Sequence, residues 1–257
     1  MYAEKALKAR RKVMEMVHAA GTSHIGSNLS CIDILTVLFD KLNLDAEMRP
    51  DRDRFVLSKG WAAASLYYFL AEKGVIPKED LETYCKPGSK YIGLAEPYVK
   101  GVEAAGGAMG HGFPMAVGMA LAAKRGGESW KTYCLMSDGE VACGTTWESA
   151  LIAAHHKLNN LKVIIDYNKW QAIGATDDVL RIAPLERNWP EGWVVIEVDG
   201  HDHSQIEQAL ESEPSKPTLI IAHTVKGKGV SFMEDKLKFH YQNVTDEMYE
   251  MAMKELV

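Results

Sequence analysis

Residues 133–140, YCLMSDGE, and residues 163–168, VIIDYN, decide the fold. Each stretch begins with a short run of apolar and β-branched residues and ends in polar residues that favour a turn. A helical pattern from about Thr146 to Lys157 separates the two stretches. Strand, helix and strand in this order predict a βαβ unit, which requires a parallel sheet with a right-handed crossover.

Three further apolar runs predict strands: RFVL at 54–57, VVIEV at 194–198 and TLIIA at 218–222. Nearly continuous apolar runs are typical of parallel strands that are buried on both faces. We therefore expect an α/β fold with a mostly parallel sheet of about five to six strands flanked by helices. A chain of 257 residues is short enough for one large domain, so we expect residues 1–257 to form a single domain.

The same patterns predict where the helices lie. Apolar residues recur at helical spacing from Ala3 to Ala19, and segment 21–28 is expected to break this first helix. Ser30 is placed to cap a second helix that runs to Phe39, with Asp33 in an imperfect capping box. Later helices are predicted at 62–73, 112–124 and 247–256, and a long ordered loop at 85–111.

Composition argues against several classes of function. The formal net charge is −6 and there is no basic stripe, so we expect no nucleic-acid partner. No apolar run approaches the roughly 20 residues needed to cross a bilayer, so we expect no membrane partner. Segment Met1–Lys5 lacks the apolar core of a signal peptide. We therefore expect a cytoplasmic protein.

Cysteines and histidines form no metal or redox motif. Without a Cys-x-x-Cys pair, reduced and buried thiols are expected. His155-His156 and His201-Asp202-His203 resemble metal ligands, but no Cys or Glu accompanies them at metal spacing, so exposed or hydrogen-bonded histidines are favoured. No Gly-x-Gly-x-x-Gly opens a helix after a first strand, which excludes a nicotinamide dehydrogenase. The cysteines are Cys31, Cys85, Cys134 and Cys143.

Polar residues follow both strands of the βαβ unit. Asp138-Gly139 comes directly after the first strand, and Asn168 directly after the second. Ligands of parallel sheets bind outside the carboxyl ends of the strands, and Mg²⁺ prefers oxygen donors together with phosphate oxygens. Gly139 has no side chain, so its N–H can approach a phosphate closely. A simple turn and a strand-end cap are the alternative, but the paired placement favours a diphosphate bridged by a cation.

These residues resemble the diphosphate-binding signature of thiamine-diphosphate enzymes, Gly-Asp-Gly followed by Asn. Further matches to the transketolase N-terminal region cover nearly the whole chain. GTSHIGSNLS at 21–30 resembles its Gly-His-x-Gly segment, and RFVLSKG at 54–60 resembles the segment before a cofactor-site histidine. GAMGHG at 107–112 resembles its Gly-x-Leu-Gly-Gln-Gly loop, and VKGKGVSFME at 225–234 its Lys-Gly-Lys-Gly-Val-Ser motif.

The resemblance implies a thiamine-diphosphate-binding fold, with thiamine diphosphate and Mg²⁺, or Ca²⁺, as cofactors. It implies that His24 and His240 are catalytic residues, although a loop histidine without a task is the alternative for each. Lys226 and Lys228 could equally form a solvated loop, and the role of His111 is left open. The implied metal ligands are Asp138, Asn168 and the carbonyl of Trp170. The implied cofactor-binding residues are Asp138, Gly139, Asn168, Met109, Gly107, Trp61 and His240.

Two positions depart from the family pattern. Trp61 and Leu94 stand where the family has histidines that bind the hydroxyls of the donor sugar. Losing two hydrogen-bonding groups makes an ordinary ketose-phosphate donor doubtful, because a site built for hydroxyls discriminates through such partners. A less hydroxylated donor or a specialised sugar acceptor is the resulting hypothesis.

The family also implies a partner. Transketolases activate the cofactor with a glutamate from a second, pyrimidine-binding domain, which this chain is too short to contain. We therefore expect a separate C-terminal transketolase-like subunit that supplies this glutamate, in an α2β2 heterotetramer acting on sugar phosphates. The expected function is the cofactor-binding subunit of an enzyme that moves a two-carbon ketol unit from a ketose to an aldehyde. An acyl-transferring or decarboxylating enzyme resembling deoxyxylulose-phosphate synthase and a non-catalytic scaffold remain alternatives.

Overall fold

The computed structural model describes residues 1–257 and contains a five-stranded sheet in which all paired strands are parallel. The order across the sheet places the third strand of the sequence in the middle, between the second and the fifth. The predicted α/β fold with a mostly parallel sheet is therefore confirmed. The strands are β1 (Arg54–Leu57), β2 (Thr132–Ser137), β3 (Leu161–Tyr167), β4 (Val194–Asp199) and β5 (Thr218–His223).

Helices cover the sheet, and none of them is both long and apolar enough to span a membrane. They are α1 (Tyr2–Ala20), α2 (Ile25–Ser30), α3 (Ile32–Lys41), α4 (Ala63–Glu72), α5 (Gly112–Gly126), α6 (Gly144–His155), α7 (Thr176–Val179), α8 (Leu185–Asn188), α9 (His203–Glu211) and α10 (Asp246–Glu255).

Successive residues of the central strands contribute to different cores. Leu135 and Ile164 pack with the core that includes α1, α3 and α4, whereas Cys134 and Val163 pack with the one that includes α5 and α6. The alternation follows from the strand geometry, because successive side chains point to opposite faces. Because both faces of the sheet are covered, the central strands are continuous apolar runs, as predicted.

Strand β4 does not meet the expectation of burial on both faces. It lies at the edge of the sheet and pairs only with β5. Its residues Val194–Ile196 are partly exposed, and Glu197 and Asp199 are exposed. An edge strand can carry exposed charged residues, which discourage pairing with other chains.

Of two local predictions near Gly21, the end of the first helix is confirmed and the cap of the second helix is wrong. Helix α1 ends at Ala20, as expected. Segment 21–28 then re-enters a helix at Ile25 and forms the buried helix α2, which was not predicted. Ser30 does not cap the next helix, because its hydroxyl donates to Asp166 at 2.6 Å. Helix α3 begins after Cys31 without a side-chain cap, and Asp33 binds Arg10 instead. Tertiary partners outcompete the local capping pattern at this site.

Candidate cofactor site

A cavity of about 470 Å³ opens at the carboxyl ends of β1, β2 and β3. Parallel strands place the residues that follow them at one edge of the sheet, so distant segments converge there. The cavity wall contains all the residues predicted for cofactor, metal and catalysis. They are His24, Trp61, Gly107, Met109, Asp138, Gly139, Asn168, Trp170 and His240.

Asp138 is fully buried at the end of β2 and forms no ion pair in the chain. One carboxylate oxygen accepts the N–H of Gly139 at 2.9 Å, and the other accepts the hydroxyl of Thr176 at 2.8 Å. Burial raises the pKa of Asp138 to about 6, since two hydrogen bonds do not replace its hydration. A cation beside the carboxylate would relieve this cost.

Asn168 is held at the end of β3 by its neighbours. Its amide nitrogen lies 3.4 Å from Asp166, and its oxygen accepts the N–H of Trp170 at 3.1 Å. Asp166 is in turn fixed by a buried ion pair with Lys59. Burial opposes ionisation of Asp166, but the Lys59 ammonium together with hydrogen bonds from Ser30 and Thr224 lowers the pKa of Asp166. This pair fixes the orientation of the Asn168 amide.

The oxygen donors at this edge suit a hard cation that also takes ligands from elsewhere. No group of three or more His, Cys, Asp or Glu side chains forms a complete metal site in the chain. One carboxylate, from Asp138, and one amide, from Asn168, are a partial set, as expected for Mg²⁺ that completes its shell with phosphate oxygens and water. The residues present therefore fit a metal–diphosphate group.

Three glycines, Gly106, Gly107 and Gly139, line the cavity with bare backbone. A Cβ on Gly60 would lie 2.4 Å from the backbone carbon of Gly106, so no side chain fits between these segments. A Cβ on Gly139 would lie 3.3 Å from Gln171 and would narrow the cavity. The side-chain nitrogen of Gln171 is buried without a partner. An unpaired donor beside an open backbone suits an anionic group.

Lys226 is buried beside the cavity, so the alternative of a solvated loop is wrong for this residue. Its ammonium donates to the Ser27 hydroxyl at 3.1 Å and to Nδ1 of His240 at 3.2 Å. Burial lowers the pKa of Lys226 to about 8, and the nearby Lys59 adds to this. Lys228 is partly exposed and lies 3.5 Å from Glu234.

Aromatic rings form one wall of the cavity. The indole of Trp61 stacks on His24, with ring centroids 4.7 Å apart, and its N–H donates to the carbonyl of Gly107 at 3.2 Å. His240 meets His24 edge-on at 4.9 Å. Burial lowers the pKa of His24 to about 4 and that of His240 to about 3, so both rings are neutral at neutral pH.

Other candidate residues lie away from the cavity. Leu94 does not line the cavity but packs against Gly107. A Cβ added at Gly107 would lie 2.6 Å from a methyl group of Leu94. His111 is exposed before α5 and does not line the cavity. His201 and His203 each bond Asp33, at 2.8 and 2.9 Å, and form no metal site.

Two residues that shape the site, Lys59 and Glu140, were not predicted from the sequence. Lys59 stands in the Ser-Lys-Gly match and Glu140 follows Asp138-Gly139, yet no pattern assigned either a role. Glu140 is buried and accepts the N–H of Gly110 at 2.9 Å and the hydroxyl of Ser58. Burial raises its pKa to about 7. Glu140 thus ties the loop before α5 to the end of β1.

An all-parallel sheet with a buried acid, an amide and bare backbone at its carboxyl edge is an α/β arrangement that suits a diphosphate cofactor. Residues 3–256 match the family described as transketolase, thiamine diphosphate binding domain. The chain belongs to this family.

Similar proteins include separate subunits and longer enzymes. The apulose-4-phosphate transketolase subunit of Phocaeicola vulgatus is 41% identical, over 97% of this chain and 91% of that protein. The 6-deoxy-6-sulfo-D-fructose transketolase subunit SqwG of Clostridium sp. (strain MSTE9) is 37% identical, over 96% of this chain and 93% of that protein. The transketolase structure from Campylobacter jejuni superposes with a TM-score of 0.93 and 33% identity, over 99% of this chain but 42% of that one.

Proposed function

We propose that this chain is the cofactor-binding subunit of a two-component transketolase-like transferase. The reaction moves a two-carbon ketol unit from a ketose donor to an aldehyde acceptor. The observation that carries the proposal is the buried, ion-pair-free carboxylate of Asp138, which lines one cavity together with the amide of Asn168 and the bare backbone of Gly139.

The metal would be Mg²⁺, or Ca²⁺, with Asp138, the amide oxygen of Asn168 and the carbonyl of Trp170 as protein ligands. Gly139, Gly107, Met109 and the other cavity residues would contact the cofactor. When bound, thiamine diphosphate supplies the nucleophilic carbon that attacks the donor ketone and carries the two-carbon unit. The chain's own contribution is to bind the diphosphate, orient the cofactor and exclude water.

His24 and His240 would handle protons at the substrate. Both are neutral, so each can donate or accept a hydrogen bond. The Lys226 ammonium donates to Nδ1 of His240, which leaves the ring proton on Nε2. His240 is therefore set to donate to a substrate oxygen from Nε2.

Trp61 favours a donor or acceptor other than the common ketose phosphates. Its only polar group is already bonded to Gly107, so it presents an apolar face where the family has a hydrogen-bonding histidine. The substrate is proposed to be a less hydroxylated donor or a specialised sugar acceptor. Steady turnover of xylulose 5-phosphate by the reconstituted enzyme would contradict this.

A separate subunit would complete the site with the pyrimidine-binding domain and the activating glutamate. The subunit names of the similar bacterial proteins support this, as do Met109 and Ile173, which are apolar and exposed beside the cavity. Leu151 and Ile152 of α6 are also exposed and apolar, which supports a second copy of the chain in an α2β2 assembly. Residues 1–257 would act as one domain in the cytoplasm.

Calorimetric titration of thiamine diphosphate with Mg²⁺ tests the site, using the chain alone and with its candidate partner. We expect Mg²⁺-dependent binding that tightens with the partner and disappears in Asp138→Ala. Asp177→Ala, which removes an exposed acid on α7, is the matched control and should bind normally. No binding in either mixture would favour the non-catalytic scaffold.

The partner-reconstituted enzyme should also be tested with pyruvate. Replacement of a sugar-binding histidine by Trp61 favours this second candidate, a decarboxylating or acyl-transferring enzyme, because it removes a hydroxyl-binding group. Turnover of pyruvate but not of ketose phosphates would select it over ketol transfer.

A further inference from the structure

A buried charged cluster lies outside the cofactor cavity, at the junction of α1, α3 and α9. The carboxylate of Asp33 accepts hydrogen bonds from both terminal nitrogens of Arg10, one of them at 3.1 Å. It also bonds Nδ1 of His201 at 2.8 Å and Nε2 of His203 at 2.9 Å. Three partners on one carboxylate hold the pKa of Asp33 well below its usual range, despite its burial.

Two members of this cluster also hold the loop at residues 225–229. Nε2 of His201 accepts the N–H of Val225 at 2.9 Å, and Nε of Arg10 donates to the carbonyl of Lys228 at 3.1 Å. A Cβ on Gly229 would lie 2.9 Å from Arg10, so the loop packs directly on the arginine side chain. The cluster therefore holds both ends of the loop.

The loop carries Lys226 between these two contacts. The lysine reaches Ser27 and His240, which line the cofactor cavity. A backbone–backbone hydrogen bond, from Gly227 N–H to the carbonyl of Gly26 at 3.0 Å, joins the loop to α2. A displacement of the loop would therefore move the ammonium that orients His240.

The Asp33 carboxylate determines which nitrogen of His201 can bind the loop. A proton on Nδ1 is donated to Asp33, so Nε2 is left as an acceptor for the Val225 N–H. The bond from Arg10 to the Lys228 carbonyl needs no comparable selection, because a guanidinium is always a donor. His203 bonds the other carboxylate oxygen of Asp33 and forms no hydrogen bond with the loop.

We propose that Arg10, Asp33 and His201 are positioning residues for the cofactor cavity and hold the 225–229 loop so that Lys226 fixes Ser27 and His240. The inference rests on the proposed function, since the cavity it serves is the thiamine-diphosphate site. In this proposal His201, in the His201-Asp202-His203 segment, neither binds a metal nor lies free in solvent but holds the loop by a hydrogen bond.

Three variants of the full chain test the proposal. His201→Asn keeps a donor near Nδ1 but removes the acceptor at Nε2, whereas His201→Gln restores an acceptor there. His203→Ala removes a bond to Asp33 but no hydrogen bond to the loop, and it is the matched control. For each variant, hydrogen exchange of peptides covering 223–233, the melting temperature and the affinity for thiamine diphosphate with Mg²⁺ are measured.

We expect His201→Asn to speed exchange in the loop and to weaken cofactor binding about tenfold, as losses of outer ligand-orienting partners do. His201→Gln should recover most of the affinity. His203→Ala should lower the melting temperature to a similar extent but leave the affinity unchanged.

The proposal is overturned if His201→Asn and His203→Ala weaken cofactor binding equally, or if His201→Asn loosens the loop without changing the affinity. No cofactor binding by the unaltered chain, with or without its partner, would instead refute the proposed function. Loop exchange would still decide the positioning role in that case, because it is measured without cofactor: unchanged exchange in His201→Asn refutes it.

Discussion

Replacing Asp138 with asparagine should make the cofactor-free chain more stable while removing its ability to bind metal. Burial raises the pKa of this carboxyl from 3.8 to about 6, so ionising it costs more in the folded chain than in the unfolded one. The difference corresponds to about 3 kcal/mol, at 1.36 kcal/mol per pKa unit. Asn keeps an acceptor for the Gly139 N–H, and its NH₂ can donate to the Thr176 hydroxyl.

The stability gain depends on pH because the pKa of Asp138 is raised on folding. At pH values below 3.8 the carboxyl is neutral in both states and carries no penalty, whereas above about 6 it is ionised in both and the full penalty applies. The gain from Asp138→Asn should therefore be about 1–3 kcal/mol at pH 7.5 and should shrink as the pH falls towards 3.8. A gain of this size raises the melting temperature by about 2–10 °C.

Scanning calorimetry of both proteins at pH 7.5 and pH 5, with EDTA, measures this effect. Asp177→Asn on α7 is the control and should change stability little, since that side chain is exposed. With Mg²⁺ and thiamine diphosphate, the unaltered chain should gain stability through binding and Asp138→Asn should not. A variant less stable than the unaltered chain, or a gain equal at both pH values, would refute the reasoning.

Three further changes test other parts of the site. Trp61→His restores a hydrogen-bonding group, so the reconstituted enzyme should turn over xylulose 5-phosphate faster than the unaltered one in a coupled assay. Asp166→Ala leaves the Lys59 ammonium buried and unpaired and should cost about 3–5 kcal/mol of unfolding free energy in urea titrations. Gly106→Ala places a Cβ 2.0 Å from a carbonyl oxygen of β1 and should cost about 3 kcal/mol, while Gly118→Ala on α5, with open space around it, should stabilise by about 0.5–1 kcal/mol.

Each of these changes has its own control and contradicting result. Trp61→Phe should not gain xylulose 5-phosphate activity. An equal gain in Trp61→His and Trp61→Phe would show that the smaller side chain, and not the hydrogen-bonding group, causes the gain. Lys5→Met breaks an exposed ion pair and should cost less than about 1 kcal/mol, so a loss matching that of Asp166→Ala would contradict the argument from burial. Equal changes in unfolding free energy for Gly106→Ala and Gly118→Ala would show that the backbone near Gly106 moves apart in solution to admit a Cβ.

The sequence predicted the sheet and the ends of its strands because both depend on short-range patterns. The apolar runs at 133–136 and 163–167, with one helix between them, allow little besides a parallel βαβ unit. Once that unit is fixed, Asp138 and Asn168 must lie at the same edge. The residues predicted for the site therefore line one cavity.

Two predictions made from local patterns were wrong because distant parts of the chain decide the outcome. Ser30 fits a capping pattern, but a buried carboxylate from β3 takes its hydroxyl. The run at 194–198 has the composition of a buried strand, but its place at the sheet edge leaves it partly exposed. Neither outcome is encoded within a few residues of the site.

The sequence alone thus determined the fold, the cofactor-binding signature and the loss of two family histidines, because each is written in contiguous residues. Only the tertiary structure decided that Trp61 stacks on His24, that Lys59 pairs with Asp166 and that Lys226 is buried. These contacts join segments far apart in the chain, and desolvation within the folded core then sets their charges and pKa values.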